Sequence, residues 1–108
     1  MLKKILDADF AGAAELRAQV PGLRVIRMCS CGCPTADFGN EAGFAPDGPQ
    51  ELLNVEGLFP KSVTDGPPQQ VLLFTRGGSL FSMELVYFSE KPPVEFHDSA
   101  DMVIIVRD

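Results

Sequence analysis

All three cysteines of the chain fall within five residues, in Cys29-Ser30-Cys31-Gly32-Cys33-Pro34. A thiolate is a soft metal ligand and a nucleophile, so this density raises four readings. The sulfurs bind zinc or Cu(I), form a reversible disulfide, serve as small apolar core groups, or fill another role such as partner contact. Residues two apart in an extended chain point the same way, with Cα atoms roughly 6.5–7 Å apart. A disulfide prefers about 5.5–6 Å. Zinc bonds sulfur at about 2.3 Å, which brings its thiolates within roughly 4 Å of one another. A regular strand through Val25, Arg27, Cys29, Cys31 and Cys33 therefore holds the sulfurs too far apart for either outcome. Gly32 and Pro34 are the residues able to bend it. Three sulfurs also leave zinc one ligand short of four, a place for His97, a carboxylate, water or another chain. The spacing is neither the C-x-x-C of redox motifs nor the C-x₂-C pairing of zinc sites, although Arg27 is a nearby cation that favours a thiolate.

Other chemistry-bearing residues point less sharply. His97 is the sole histidine, in Glu95-Phe96-His97-Asp98. A hydrolase would need Asp98 or Glu95 to orient it toward a cysteine nucleophile, yet chain neighbours rarely orient one another so. A surface histidine is the plainer account. Glu51, Glu56, Glu84 and Glu90 offer carboxylate pairs, but they belong to 15 scattered acids and read as solvated surface. Glu84 stands inside an apolar run, where a charge is costly unless solvated or paired; facing solvent beside Ser82 is the expected solution. Arg76-Gly77-Gly78-Ser79 is glycine-rich, but no helix follows to complete a phosphate loop, so it reads as a turn.

The whole chain sets limits on partners and compartment. Its 108 residues suit one domain, residues 1–108, with a single core. A net charge of −6, with 9 basic residues and no cationic stripe, argues against nucleic acid and against an anionic membrane surface. No apolar run approaches the roughly 20 residues of a membrane helix. Acidic residues interrupt the first apolar stretch, so a secretory signal is not expected and a cytoplasmic location is.

The elements that would position these residues follow from periodicity. Phe10, Ala13, Ala14, Arg17 and Val20 repeat at helical spacing, predicting a helix over residues 9–20. Asp7 or Asp9 would cap it and Pro21-Gly22 end it. Residues 23–28 predict a strand entering the cysteines, with a short continuation over 35–38. Residues 39–50 and 59–68 are rich in turn formers and read as loops, with a strand over 51–55 between them. Residues 71–75 and 80–88 form a hairpin about Gly77-Gly78, whose glycines supply positive φ. In its second strand Phe81, Met83, Leu85 and Tyr87 share one face, and Ser82, Glu84 and Val86 the other. Lys91-Pro92-Pro93 breaks that strand. Residues 102–106 lack alternation and predict a last strand buried on both faces or at the sheet centre. The expected fold is α+β, one N-terminal helix on an antiparallel sheet of about five strands.

The run Cys29-Ser30-Cys31-Gly32-Cys33-Pro34-Thr35, with Gly78-Ser79-Leu80-Phe81-Ser82-Met83-Glu84-Leu85, resembles small bacterial, actinobacterial-type proteins of unassigned function. These join a cysteine-glycine segment to a Gly-turned β-hairpin. The resemblance spans most of residues 9–90 and implies no activity; it directs interest to Cys31, Gly32, Cys33 and Glu84. The expectation from all of this is a non-enzymatic binding or interaction module, with a homodimer or protein partner held through an edge strand. Residues 80–88 would supply that strand if they lie at an edge. The alternative is a thiol-based metal or redox protein using Cys29, Cys31 and Cys33, with zinc or Cu(I) and His97 as fourth ligand.

Overall fold

The computed structural model describes residues 1–30, 34–40, 43–44, 48–89, 93 and 95–107. Cys31, Gly32, Cys33, Glu90, Lys91 and Pro92, named above, lie outside them. In chain order the elements are α1 (Leu2–Leu6), α2 (Ala13–Arg17), β1 (Arg24–Met28), β2 (Ala36–Asn40), β3 (Gly43–Phe44) and β4 (Gln50–Phe59). There follow α3 (Lys61–Thr64), β5 (Gln69–Arg76), β6 (Ser79–Val86) and β7 (Val103–Val106). The fold is α+β. Six strands pair in the order β1-β2-β6-β5-β4-β7, with the two-residue β3 attached to β2, and every pairing is antiparallel.

The centre of the sheet is the meander β4-β5-β6, and alternation explains its faces. Gln69, Val71, Leu73 and Thr75 of β5 are buried, while Gln70, Leu72, Phe74 and Arg76 between them are half-buried. Opposite the buried set stand Phe59 and Gly57 of β4 and Leu85, Met83 and Leu80 of β6. This face carries the core, and α1 and α2 close it with Ile5, Leu6 and Leu16. Ile5 and Leu6 are fully buried, each contributing about 1.5–3 kcal/mol by leaving water. The β5–β6 turn has Gly77 at φ 60° and Gly78 at φ 81°, the left-handed pair that a two-residue hairpin requires.

Several expectations change. The predicted helix over 9–20 is only the five-residue α2, because Gly12 at φ 83° precedes it in a left-handed conformation no helix can run through. Neither Asp7 nor Asp9 caps it; the N-cap is Gly12, without a side-chain bond. Pro21 lies in a 3-10 turn, Val20–Gly22, that ends the helical region as expected. Residues 35–38 do not continue β1 but return beside it as β2. Residues 61–64, expected as loop, form α3.

Residues 80–88 do not supply an edge: β6 lies between β2 and β5. Residues 102–106 are not central either. β7 pairs with β4 alone among the described strands, and Val103 and Val106 are exposed at 49% and 44%. The expected faces of β6 also shift. The register passes from Phe74↔Ser82 to Thr75↔Leu80, so Phe81 is an extra, bulged residue and the alternation reverses there. Leu80 therefore joins the core face, and Phe81 lies under the Arg76 guanidinium, 4.2 Å from the ring centroid. Ser82, expected in solvent, is buried. Glu84 is half-buried opposite Leu72 on the face away from the core.

Candidate functional site

Two places combine chemistry or exposed apolar groups with a defined backbone: the β1–β2 hairpin and the outer edge of β7. At the hairpin Met28 pairs with Ala36, and the Cys29 amide donates to the Thr35 carbonyl at 2.9 Å. β1 and β2 therefore run in opposite directions from Cys29 and Thr35. Thr35 is held from its other side as well, its hydroxyl accepting from the Leu85 amide at 2.9 Å. Cys29 is half-buried. It lines an open depression of about 350 Å³ with Arg27, Met28, Ser30, Thr35 and Asp37. Arg27 reaches across the hairpin to Asp37, Nε to Oδ2 at 3.0 Å.

The structure does not bring His97 to this hairpin in the described contacts. Its ring packs on Phe59 at the end of β4, centroids 5.4 Å apart, and β6 and β5 intervene between β2 and β4. Asp98, one of the two residues a hydrolase would need to orient His97, accepts from the Ala100 amide at 2.9 Å and caps the 3-10 turn Ser99–Asp101. Among the described residues no group of three His, Cys, Asp or Glu side chains is placed to hold a metal; Cys31 and Cys33 are not among those residues.

The two edges of the sheet differ. β1 exposes all five of its residues, Val25, Ile26 and Met28 among them. Its register slips between Val25↔Phe38 and Arg27↔Asp37, leaving Ile26 as a bulge. A bulge and two arginines are the devices that keep an edge from accepting another strand. β7 has none of them. Val103-Ile104-Ile105-Val106 carries no charge, proline or register slip. Behind it Arg107 donates its amide to the Asn54 carbonyl at 2.7 Å and its Nε to Glu56 Oε1 at 2.6 Å. Glu56 is thus not solvated surface but a buried carboxylate, which also accepts from Gln70 Nε2 at 3.3 Å. The signal for this edge was present in the unbroken aliphatic run, but such a run also describes a central strand.

An antiparallel sheet in an α+β fold, with one guarded edge and one edge open among the described residues, is the class of structure these observations define. No family model, curated protein or solved structure matches the chain. No helix among the described residues is long and apolar enough to cross a membrane.

Proposed function

We propose that this chain is a non-enzymatic interaction module that binds a protein strand along the outer edge of β7. The observation that carries the reading is the exposed, uncharged β7 edge, with Val103 and Val106 in solvent. In an antiparallel pair, residues that exchange bonds with one neighbour alternate with residues whose amide and carbonyl point away from it. Arg107 bonds to Asn54 of β4, so by alternation Ile105 and Val103 do the same. Ile104 and Val106 then direct their N–H and C=O outward, where an added strand gains main-chain bonds and apolar contact. A chain of net charge −6 suits a protein partner better than nucleic acid or an anionic membrane, and we place its action in the cytoplasm. Similarity to the small bacterial cysteine-glycine proteins remains part of this proposal and adds no activity to it. Titrating the isotopically labelled chain with a blocked peptide of residues 101–107 tests it. Amide shifts centred on Ile104 and Val106 are expected; shifts elsewhere, or none, remove the reading.

A second reading takes the cysteines as a metal or redox site. The pairing of Cys29 with Thr35 across the β1–β2 hairpin supports this reading, because thiolates that share an ion need the chain between them to depart from a straight strand. With His97 packed on Phe59, a site of Cys29, Cys31 and Cys33 alone favours Cu(I) over zinc, which takes four ligands in structural sites. Native mass spectrometry with Cu(I) and zinc, before and after thiol alkylation, distinguishes the cases. A bound ion lost on alkylation supports a metal site, and a two-dalton loss on mild oxidation supports a redox pair. Metal-free thiols that do not pair remove both.

A further inference from the structure

We propose that the occupant of the β7 edge is a second copy of this chain, paired antiparallel about a two-fold axis with Ile104 opposite Ile104 of the second copy. The inference rests on the edge-binding reading and deepens it.

Register and charge together single out this arrangement. A two-fold pairing that continues the sheet must set residues of the same face opposite one another, so the axis falls at a residue, and the two central residues of β7, Ile104 and Ile105, give the longest overlap. Both positions allow outward-pointing groups of β7 to bond. With the axis at Ile104, the two Ile104 residues exchange N–H and C=O bonds, and each Val106 amide reaches the Met102 carbonyl of the second copy. The Met102 amide is already committed to the Ser99 carbonyl at 3.1 Å, so Met102 contributes its carbonyl alone. Val103 then faces Ile105 of the second copy on the face away from the core. The exposed Val103 side chain thereby gains an apolar partner.

The ends of the strand choose between the two axes. The Ile104 axis sets Asp101 opposite Arg107 of the second copy, twice by symmetry. The Ile105 axis instead sets Arg107 opposite Val103. Asp101 is exposed, and the Arg107 side chain is 63% exposed although it pairs with Glu56. Its guanidinium therefore has donors to spare for a second carboxylate. The two symmetric Asp101–Arg107 contacts are self-complementary, which offsets part of the repulsion expected between two chains of net charge −6.

Sedimentation of the intact chain as a function of concentration reads the assembly. A mass rising toward twice the 11.7 kDa of one chain is expected. Asp101→Lys should weaken association about tenfold, because two symmetric ion pairs become like-charge contacts. Val103→Lys, on an exposed side chain, should abolish it at concentrations where the parent chain pairs. A single-chain mass at all concentrations overturns the proposal. If the 101–107 peptide still shifts Ile104 and Val106, only the second copy is lost; if it does not, edge binding is lost too. A dimer indifferent to both substitutions also overturns the proposal, since it must form elsewhere.

Discussion

Arg107 donates through Nε to Glu56 Oε1 at 2.6 Å, diagonally across the β4–β7 pair, and so ties the last described residue of the chain to a carboxylate that is only 4% exposed. A carboxylate in that position keeps its charge at low cost only while its partners stay in place. The cation is the replaceable one, since most of its side chain is in water.

Arg107→Ala should therefore destabilise the fold by about 1–3 kcal/mol, leaving Glu56 with Gln70 alone. Arg107→Ala combined with Glu56→Gln should cost less than the sum of the two single changes, because the uncompensated charge is gone. Urea unfolding of the four proteins measures the coupling, and strict additivity would show that the pair does not anchor β7.

Gly57→Ala should loosen the same strand from the opposite face. A Cβ built on Gly57 would stand 2.2 Å from the Met102 sulfur, and Met102 is itself buried. The methionine must move, at a cost of about 1–3 kcal/mol for an overpacked core. The loss should shrink when Met102→Ala is added, and thermal unfolding of the single and double variants reports it.

Gly78→Ala isolates backbone conformation from contact. Nothing lies within 4 Å of a Cβ placed there, yet φ is 81°. A loss of about 1–2 kcal/mol is expected from the left-handed conformation alone. Gly78→Asn, which tolerates that region better, should lose less. Equal losses for the two would contradict the assignment of the cost to φ.

Gln19→Ala should open the seam between the helical segment and the β5–β6 turn. Its Nε2 donates to the Gly78 carbonyl at 3.0 Å and its Oε1 accepts from the Leu80 amide at 2.8 Å. Faster hydrogen exchange of the Leu80 amide, with little change at Val71 or Leu73, is the expected pattern.

The sequence made the β5–β6 hairpin legible because two consecutive glycines can satisfy a pair of positive φ values and the flanking runs alternate. Periodicity could not show the bulge at Phe81, which reverses the alternation through register, a property of two strands rather than one. The same limit hid the place of β7. An aliphatic run fits both a strand covered on two faces and an edge strand, and its pairing with β4 alone among the described strands separates them. Periodicity likewise overextended α2, since hydrophobic spacing carries across Gly12 although the backbone does not. The Cys29 segment was legible as a cluster, and the need for a bend was legible from strand spacing. That β2 returns beside β1 depends on long-range pairing with β6, which the sequence does not display.

The seam between β2 and β6 spans only Ala36↔Met83 and Asp37↔Ser82, supplemented by the Thr35 hydroxyl. The β4-β5-β6 meander, by contrast, is joined along most of its length by strands close in sequence. The molecule is therefore unevenly cooperative. Its meander is the part expected to form early and open last, while β1, all of it exposed, is held less firmly than β2, which buries Ala36 and Phe38 in the core.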